Sequence, residues 1–436
     1  MSFSEWKEVK LGDICNFQKG YAFKSKDYQV HGRKIIKVSN LNNYSVDLSE
    51  CVCIEECKAD NHQQYQLCKD DIIITTVGSW PSNPNSVVGK VIKVQQEVEK
   101  SLLNQNAVRV RGEQNIDQKF LFFSLKNKIF FEYIIGTAQG AANQASITQN
   151  DIKNYQFDLP QLHEQKAIAK TLSCLDDKIE LNNRINKTLE EMAKVIFNSW
   201  FVDFEPFQES EFEDSELGRI PNGWRVGTLD ECIDFYNGYA FKSKELLNCE
   251  AKDCYKVFKM GHIKKGGGLN YDGTRSWIEK NKCESILKHV LKTGDLLMCM
   301  TDMKGNVALL AHTALMNESD KYIVNQRVGL LKVNNKLGID FPYLYILTNS
   351  NAFIENLRGR ANSGVQVNLS TSEIKASKLI IAPIEVNKKF NEAVIPMFQQ
   401  MFEAVKENQI LTAIRDSILP KLMNGEIRVP IEENVQ

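Results

Sequence analysis

The sequence lacks the long apolar runs that mark membrane-spanning proteins and secreted precursors. No stretch of about 18 consecutive apolar residues occurs among its 436 residues, and the N-terminal sequence MSFSEWK has no basic segment followed by an apolar one. The composition is otherwise ordinary for a globular protein, with 43% hydrophobic and 25% charged residues. We therefore expect a cytoplasmic protein of roughly two to four domains, each large enough to bury a core.

Cysteine is present but follows no regular framework. The eleven cysteines are odd in number and irregularly spaced, which is typical of free thiols in a reducing compartment. One cluster, formed by Cys51, Cys53, Cys57, His62 and Cys68, has the residue types of a zinc site. It contains no C-x-x-C pair and has no counterpart in the second half of the chain. We interpret these residues as structural cysteines and expect no bound metal.

The chain also lacks an excess of either charge. It has 54 Lys and Arg against 55 Asp and Glu, which gives a formal net charge of −1 at pH 7. Because such a protein is not coated in positive charge, any affinity for a polyanion must come from local basic patches. The clearest patches surround Lys24 and Lys26 in the first half and Lys242 and Lys244 in the second, each next to aromatic residues.

Motifs of common catalytic and nucleotide-binding sites are missing. The nearest approach to the Asn-Pro-Pro-Tyr motif of amino methylation is at residues 82–85, which lack the second proline and the aromatic residue that would stack on a flipped base. Gly89-Lys90 is followed by Val91, and Pro84 stands where a phosphate-binding loop needs its first glycine. The sequence therefore supports neither methyl transfer nor ATP binding.

Two pairs of aspartates imitate a metal-dependent nuclease site. They are Asp70 with Asp71 in the first half and Asp295 with Asp302 in the second. Each follows or precedes a predicted strand, where aspartate is most often a turn residue. We expect turn residues here and a chain without catalytic activity.

An internal duplication is the most informative feature. The sequence GYAFKSK occurs at residues 20–26 and again at residues 238–244, which aligns the two halves at an offset of 218 residues (238 minus 20). Further matches follow as the offset drifts by a few residues: Trp6 with Trp224, Lys37-Val38 with Lys259-Met260, Asn104-Gln105 with Asn325-Gln326, and Ile147-Thr148 with Leu369-Ser370. A repeat of this length is a whole domain, and two similar domains imply two similar binding events.

Each half shows the same order of predicted elements. In the first half, short apolar runs between turn-rich stretches predict strands at residues 34–38, 71–77, 87–94 and 107–110. Residues 120–135 have helical spacing, and residues 151–159 return to strand character. We expect a mixed domain in which strands dominate.

A long amphipathic pattern follows each mixed domain. Ile168, Leu172, Leu175 and Ile179 step by 4, 3 and 4 residues, and the second half repeats this coiled-coil spacing at an offset of 222 residues. We predict that the two helices pack on each other. The alternative of two separate surface helices stays open, because periodicity does not name the partner of a helix.

The predicted helices are longer than a small domain requires. A helix over residues 163–200 would be roughly 55 Å long at about 1.5 Å per residue. Between the halves, residues 201–219 are acidic and aperiodic, which indicates a linker or wrapped loop. Two mixed domains held apart by long helices suit a long, regular partner such as duplex DNA, in which half-sites one turn apart are separated by about 34 Å.

The order of these motifs resembles the specificity subunit of type I restriction-modification enzymes. The resemblance spans nearly the whole chain and rests on the repeated GYAFKSK, on LP at 159–160 with EQK at 164–166, on WFVDFEP at 200–206 and on ILPKLMNGEI at 418–427. The second helix departs from the pattern, because residues 383–387 read PIEVN and lack the Glu-Gln pair. We expect Glu385 to take part of the role of the missing Glu at the positive end of that helix.

The resemblance implies a fold of the α+β class. Two tandem-duplicated mixed α/β target recognition domains would be separated by two long helices, packed as an antiparallel coiled coil with pseudo-twofold symmetry. The expected boundaries are 1–160 for the first target recognition domain, 161–200 for the first spacer helix, 201–223 for the acidic linker, 224–383 for the second target recognition domain, 384–425 for the second spacer helix and 426–436 for the C-terminal tail.

The resemblance also implies a function, that of a non-catalytic, sequence-specific DNA-binding subunit. Each target recognition domain would read one half of a bipartite, asymmetric DNA site, and the helices would set the unread spacer. Partners would be two adenine-specific methyltransferase subunits and, in the larger complex, restriction and translocase subunits. S-adenosylmethionine, ATP and Mg²⁺ are implied only for those partners, and no membrane is involved.

Candidate DNA-binding residues fall into two classes. Polar residues in and after the repeated segment suit phosphate contacts, although a shared fold element explains the repeat equally well: Lys24, Lys26, Lys37, Asn40, Lys242, Lys244, Lys259, His262 and Lys264. Two loops in each half diverge, as surfaces that read different bases must, and carry groups that pair with adenine or guanine: Trp80, Ser82, Asn83, Asn85, Lys90, Gln139, Asn143, Gln144, Lys304, Asn306, Arg358, Arg360 and Gln366. Ordinary turn chemistry is the alternative at each loop position.

Two other classes of function stay open. A self-contained enzyme on an unfamiliar scaffold would methylate or cleave DNA as the purified chain alone. A coiled-coil adaptor for proteins would bind its partners without regard to any DNA sequence.

Overall fold

The fold is seen in a computed structural model, which describes residues 6–42, 45–49, 51–81, 87–141, 144–271, 273–303, 307–363 and 366–430. The chain divides into two compact units. Unit 1 comprises residues 1–181 and 407–436, and unit 2 comprises residues 182–406. None of the helices in the described ranges is long and apolar enough to cross a membrane.

The strands of unit 1 form small sheets around a mixed core. Its described strands are β1 (Lys7–Lys10), β2 (Cys15–Lys19), β3 (Arg33–Ile36), β4 (Val52–Ile54), β5 (Ile72–Thr75), β6 (Val77–Gly78), β7 (Val91–Lys93), β8 (Leu102–Leu103), β9 (Ala107–Gly112), β10 (Gln139–Ala141), β11 (Gln144–Ser146) and β12 (Gln156–Leu159). Strands β2-β9-β5-β7 form an antiparallel four-stranded sheet, and β4-β3-β8 a three-stranded sheet in which β3 and β8 run parallel. A second three-stranded sheet has the order β10-β11-β6, and β1 pairs with β12. Strand β5 reads IIIT and is buried on both faces, as its continuous apolar run predicts.

Unit 1 contains short helices and the first half of a long one. They are α1 (Leu11–Ile14), α2 (Glu56–Ala59), α3 (Gln118–Lys126), α4 (Lys128–Thr137) and α5 (Gln149–Lys153), followed by the long helix α6 (Leu162–Phe201). The predicted helix at 120–135 is in fact two, because Asn127 has extended backbone and its side chain accepts the N–H of Ile129 to cap α4. Residues 151–153, predicted as strand, belong to α5, which a capping box of Thr148 and Asp151 starts.

Unit 2 repeats this plan and adds one hairpin, formed by its first two strands. Its described strands are β13 (Phe212–Ser215), β14 (Gly218–Pro221), β15 (Arg225–Thr228), β16 (Ile233–Asn237), β17 (Cys254–Phe258), β18 (Trp277–Glu279), β19 (Leu296–Cys299), β20 (Thr301–Met303), β21 (Thr313–Leu315), β22 (Tyr322–Val324), β23 (Val328–Val333), β24 (Asn362–Ser363), β25 (Gln366–Asn368) and β26 (Lys378–Ile381). Its helices are α7 (Phe341–Thr348), α8 (Asn351–Gly359), α9 (Thr371–Lys375) and α10 (Ile384–Met423). The sheets β16-β23-β19-β21, β18-β17-β22, β24-β25-β20 and β15-β26 match those of unit 1 in order. The predicted tandem duplication and mixed α/β class are therefore confirmed.

The repeated GY of GYAFKSK carries the chain from one sheet to the next in both units. The N–H of Gly20 donates to Ala107 of β9, and the N–H of Tyr21 donates to Leu103 of β8, each at 3.0 Å. The N–H of Gln105 returns a bond to the carbonyl of Tyr21 at 2.9 Å. Only glycine fits before the tyrosine, since a Cβ at residue 20 would overlap the carbonyl of Asn104.

Unit 2 makes the same crossing with its own copies of these residues. The N–H of Gly238 donates to Val328 at 3.1 Å, and that of Gln326 to the carbonyl of Tyr239 at 2.9 Å. A Cβ at residue 238 would overlap the carbonyl of Asn325. The two repeated motifs, GY and NQ, are thus the two sides of one backbone contact.

Polar side chains fix the start of each long helix. In unit 1, Gln165 Oε1 accepts the N–H of Asp117 at 2.9 Å, while its amide donates to the carbonyl of Pro160 at 2.9 Å. In unit 2, Asn387 stands at the equivalent place and donates to the carbonyls of Leu337 and Ala382 at 2.9 and 3.1 Å. Asn387 is therefore the functional counterpart of Gln165 in this helix start.

The two glutamates at the helix starts differ in their surroundings. Glu164 is 2% exposed, accepts Trp6 Nε1 at 3.0 Å and pairs with Arg428, which also lies over the Trp6 ring. Glu385, expected to take part of this role in unit 2, lies in the first turn of α10, is exposed and pairs with Lys388. Trp224, the counterpart of Trp6, packs against Phe201, Phe204 and Phe207.

The long helices pack in antiparallel fashion within each unit, as predicted. In unit 1, residues 162–181 of α6 bury Ile168 and Leu172 in the same core as Leu419 and Leu422 of α10. Ion pairs join Arg415 to Asp176 at 2.7 Å and Lys178 to Glu407 at 3.2 Å. The order of these contacts shows that the two segments run in opposite directions.

Unit 2 buries the remaining half of each helix. Ala193 and Phe197 of α6 share a core with Phe390, Val394 and Phe398 of α10. The helices begin and end within two residues of the predicted bounds of 161–200 and 384–425. Aromatic residues fill much of this seam, where Phe197 and Phe390 rings lie 6.2 Å apart.

The acidic segment after α6 is more ordered than a linker. Strands β13 and β14 form a hairpin within it, and Phe204 and Ile220 are buried in the core of unit 2. Its acidic side chains remain on the surface, which is why the sequence alone indicates a linker. Of the two alternatives given for this segment, a linker or a wrapped loop, the packing of Phe204 and Ile220 favours the wrapped one.

We expect the substitutions Gly20→Ala and Gly238→Ala to lower the free energy of unfolding by about 3 kcal/mol each, because the new Cβ must displace backbone at the sheet crossing. The control is Gly136→Ala in α4, where no heavy atom lies within 4 Å of the new Cβ. That change should raise stability by up to about 1 kcal/mol. Urea unfolding followed by circular dichroism measures all three; equal midpoints for Gly20→Ala and Gly136→Ala would contradict the crossing.

Candidate nucleic-acid interface

The three-stranded sheet β10-β11-β6 brings together the two divergent loops predicted in unit 1. Val77 and Gly78 of β6 pair with Ser146 and Ala145 of β11, and β11 in turn pairs with β10. Gly140 has a φ of +151° and lies so close to Gln144 that a Cβ would overlap its carbonyl. The hairpin therefore depends on this glycine.

Side chains of this sheet divide into anchors and exposed groups. Ala145 is fully buried, whereas Gln139 and Gln144 are exposed. Trp80 is half-buried and its Nε1 donates to the carbonyl of Ala141 at 2.9 Å, which ties the loop after β6 to the hairpin. Trp80 thus positions the surface, while the two glutamines offer amide groups to a partner.

Unit 2 builds the same sheet from different residues. Strand β20 pairs with β25, and Thr301 Oγ1 donates to Asn368 Oδ1 across them at 2.8 Å. Met303 at the end of β20 is 58% exposed, and Gln366 is half-buried. The scaffold is shared, but the exposed chemistry differs from that of unit 1.

Several predicted residues lie outside the described residues. They are Ser82, Asn83, Asn85, Asn143, Lys304 and Asn306. Each is adjacent in sequence to one of the two sheets just described.

The two predicted arginines of unit 2 are engaged with the protein itself. Arg358 donates to the carbonyls of Leu310 and Ala308 at 3.1 and 3.2 Å. Arg360 donates to Ser377 Oγ at 2.9 Å and pairs with Glu373 at 3.3 Å. Both arginines are partly buried, and these bonds stabilise the segments that flank the sheet. Their contact with DNA bases stays a prediction.

Three predicted lysines also have internal partners. Lys90 donates to the carbonyl of Leu41 at 3.2 Å, and burial lowers its pKa. Lys259 donates to Ser276 Oγ at 2.8 Å, and the Lys37 ammonium lies 4.1 Å from the centre of the Tyr28 ring. These contacts hold loops together and leave the lysines half-buried.

Asn40 and His262 are equivalent buried caps. Asn40 Oδ1 accepts the N–H of Lys37 at 2.9 Å, and His262 Nδ1 accepts the N–H of Lys259 at 3.0 Å, each closing a short 3₁₀ turn. Asn40 is 5% and His262 1% exposed, so neither can reach DNA without opening its turn. The sequence does not reveal that their polar atoms serve the backbone, and their contact with DNA stays a prediction.

The remaining predicted lysines are exposed. Lys24 precedes a short 3₁₀ turn in unit 1 and Lys26 lies within it, and Lys242 and Lys244 have the same places in the counterpart turn of unit 2. Lys264 begins a loop that is closed by its N–H bond to the carbonyl of Gly268 at 3.0 Å. These five ammonium groups are available to an anionic partner.

The structure adds residues that the sequence analysis missed. Beside the first repeat, His62 and Tyr65 pack on Tyr21, with ring centres 4.4 and 5.1 Å from it. Lys58 pairs with Asp27 at 2.9 Å at the edge of the same cluster. When the two halves are aligned, Lys58 matches Lys282. This repeated lysine is the sequence feature from which the role of Lys58 could have been predicted.

Of the aspartates that imitate metal pairs, Asp71 and Asp295 are turn residues and Asp302 lies in β20. Asp71 accepts the N–H of Cys68 at 2.7 Å, and Asp295 accepts that of Lys292 at 2.8 Å. Asp302 accepts the N–H groups of Leu309 and Leu310. Across the described ranges no three His, Cys, Asp or Glu side chains lie close enough together to hold a metal, and all eleven cysteines are free thiols.

We expect the buried cap in unit 2 to make stability depend on pH. Burial, with smaller contributions from Lys256 and Lys259, lowers the pKa of His262 to about 4. The pKa of the same imidazole in the unfolded chain is about 6.5. As the pH falls below about 6.5, the unfolded state therefore binds a proton that the folded state does not, and stability falls by up to about 1.4 kcal/mol per pH unit until pH 4.

We expect the variant His262→Asn, which carries the amide found at residue 40, to lose this component. The difference in free energy of unfolding between the two proteins should be constant above pH 7 and shift in favour of the variant from pH 6.5 towards pH 4. Urea unfolding at pH 8, 7, 6 and 5 measures it, and the other histidines cancel because both proteins contain them. Parallel pH profiles would contradict a buried, neutral imidazole.

Comparison with known proteins gives the same duplicated organisation. The family described as "Type I restriction modification DNA specificity domain" matches residues 3–191 and again residues 221–412. The chain is 27% identical over 345 residues to the type I restriction enzyme MjaIX specificity subunit of Methanocaldococcus jannaschii, covering 75% of this chain and 73% of that protein. It is 24% identical over 473 residues to the HindI specificity subunit of Haemophilus influenzae, covering 97% of this chain and all of that protein.

A solved structure shares the fold. The crystal structure of the type I restriction-modification system S subunit from M. genitalium superposes with a TM-score of 0.55 at 18% identity, covering 97% of this chain and 96% of that one. Both halves of the chain match the family, and they do so across the strands and helices described above. The chain therefore belongs to the type I restriction-modification DNA specificity subunits, with two tandem specificity domains and a role in DNA recognition rather than catalysis.

Proposed function

We propose that each unit reads one half of a bipartite, asymmetric DNA sequence through its three-stranded sheet, β10-β11-β6 in unit 1 and β24-β25-β20 in unit 2. One observation carries this proposal: the two units share the order of their strands but differ in the side chains that these sheets expose. A shared scaffold with divergent exposed groups is what two readers of different sequences require.

The exposed groups have the chemistry of base recognition. The amides of Gln139 and Gln144 can each pair with the N6 and N7 atoms of adenine in the major groove. Met303 offers an apolar contact of the kind that reads a thymine methyl group. Ser82, Asn83, Asn85, Asn143, Lys304 and Asn306 belong to the same proposal from their positions in the sequence beside these sheets.

The internal bonds of the arginines and the tryptophan support this division of labour. Arg358, Arg360 and Trp80 hold the loops to their units through backbone and side-chain acceptors. Base-reading side chains must be held within a fraction of an ångström, so rigid support beneath them is part of the reading surface.

The long helices are proposed to set the unread spacer between the half-sites. Each contains 40 residues and is about 60 Å long. Half-sites separated by one turn of duplex lie about 34 Å apart, which this length spans. The expected boundaries of 1–160 and 224–383 for the target recognition domains remain part of the proposal.

The partners proposed for this chain are double-stranded DNA and two adenine-specific methyltransferase subunits, with restriction and translocase subunits in the larger complex. S-adenosylmethionine would belong to the methyltransferase subunits, and ATP with Mg²⁺ to the translocase. This chain would supply sequence recognition to the methyltransferase, restriction and translocase subunits. The complex would be cytoplasmic. Its relatives carry the name of specificity subunit of a type I restriction enzyme, which supports that assignment.

Exchanging residues 1–160 for those of a relative should change one half of the recognised sequence and leave the other half intact. The reason is that unit 1 and unit 2 each carry a complete reading sheet. Methylome sequencing of cells that express the chain with its cognate methyltransferase subunit measures this. Absence of any methylated motif, with the methyltransferase shown to be active and bound, would overturn the proposal in favour of a protein adaptor.

Removing seven residues from the middle of both α6 and α10 should shorten the spacer by about three base pairs, because each helix loses about 10 Å and the duplex rises about 3.4 Å per base pair. The heptad register survives a seven-residue deletion. The matched control removes the seven residues from α6 alone, which should misalign the packed helices and lower the yield of folded protein. A change in the half-site bases would show that the helices do more than set a distance.

A further inference from the structure

The repeated segment at residues 20–26 and 238–244 presents the same exposed surface in both units. Tyr21 is 36% exposed and Tyr239 is 40% exposed, although each is fixed by the glycine that precedes it. Both tyrosines pack edge-on against the phenylalanine two residues later, with ring centres 5.0 Å apart. The lysines that follow are exposed in both copies.

In unit 1 this surface forms a cleft of about 300 Å³. Tyr21 and His62 form its aromatic wall, and Lys24, Lys26 and Lys58 lie at its rim. Lys58 is held by Asp27, and this hydrogen bond lowers the pKa of the Asp27 carboxyl. Lys24 and Lys26 form no salt bridge with any residue that the structure describes, so the rim carries an excess of positive charge.

Unit 2 has the same lysines and tyrosine in its repeated segment, but the residues around them differ from those of unit 1. Glu245 replaces Asp27, Lys282 occupies the position of Lys58 and pairs with Glu279, and His289 packs against Tyr239 at 5.9 Å. Lys242 and Lys244 have no salt bridge among the described residues either. The lysines and the tyrosine are thus the constant part of a surface that otherwise varies.

A surface that is the same in two domains cannot distinguish the two sequences that those domains read. Any DNA contact that it makes is therefore with a feature that both half-sites share. We infer that the exposed surfaces of residues 20–26 and 238–244 bind the sugar-phosphate backbone of DNA, one beside each reading sheet, with Lys24, Lys26, Lys242 and Lys244 on phosphates. This inference rests on the proposed function and assigns a sequence-independent contact to it.

A docking surface for a protein partner would also occur twice, but its composition should differ. Protein interfaces are depleted in lysine, whereas phosphate contacts are made largely by lysine and arginine. The net charge of −1 also leaves no general positive surface to attract DNA, so two local patches are required. Lysine chemistry and repetition therefore favour the DNA backbone.

The test compares double variants in the complete complex of this chain with its methyltransferase subunits. Lys24→Ala with Lys26→Ala, and Lys242→Ala with Lys244→Ala, remove the surface of unit 1 or unit 2. Binding to a duplex with the methylated motif and to an unrelated duplex is measured by fluorescence anisotropy at several salt concentrations. Each double variant should weaken binding to both duplexes by the same factor and reduce the salt slope by about 1.8, since each phosphate contact contributes about 0.9.

Two controls separate charge from position. Lys7→Ala with Lys10→Ala removes two exposed lysines of β1 and the same net charge, and should leave the slope unchanged. Lys24→Arg with Lys26→Arg keeps the charges and should retain the slope. Thermal unfolding of each variant confirms that the exposed substitutions leave the fold intact.

Three outcomes would overturn the inference. An unchanged salt slope would show that these lysines do not meet phosphates. Loss for one duplex alone, or a changed methylated motif, would make them base readers, and loss of the methyltransferase subunits would make the surface a protein interface. Failure of the proposed function would be seen separately, as an unmutated complex that binds both duplexes equally.

Discussion

The contact between the backbone of Gly20-Tyr21 and that of Asn104-Gln105 is the constraint on which the rest of unit 1 depends. It carries the chain from the four-stranded sheet to the neighbouring sheet, and it requires glycine because the two backbones approach too closely for a Cβ. Unit 2 repeats it with Gly238 and Asn325. The loops and turns beyond this crossing connect strands of the same two sheets. Their positions therefore depend on the crossing in both units.

Around this fixed crossing, the side chains fall into those that hold the fold and those that face outward. Polarity alone does not separate the two groups. Arg358, Lys90 and His262 carry groups suited to DNA, yet their donors and acceptors meet backbone atoms of their own unit. Gln139 and Lys24 also carry groups that can hydrogen-bond to DNA, but these two side chains are exposed. Burial, and the backbone atom that lies within bonding distance, decide between these roles.

Sequence periodicity and repetition were sufficient to predict the duplication, the mixed class and the two long helices. Residues such as Ile168 and Leu172 are buried in the helix seam because the coiled-coil spacing forces them onto one face. Less accessible were the break at Asn127 and the packing of residues 201–223. At Asn127 a local cap interrupts the helical spacing, which the apolar pattern does not record. In residues 201–223 the burial of Phe204 and Ile220 is a tertiary contact, and such contacts leave no periodic signal.

The sequence by itself determined the two-domain repeat, the helices and the family. These properties follow from residue spacing and recurring motifs, which can be recognised before any contact is known. The tertiary structure alone decided which polar residues are free. Asn40 and His262 are equivalent caps despite their different chemistry. Lys58 lies in the same cleft as Tyr21, although more than thirty residues separate them in sequence. Such assignments depend on distances between atoms that are far apart in sequence, which spacing along one chain does not encode.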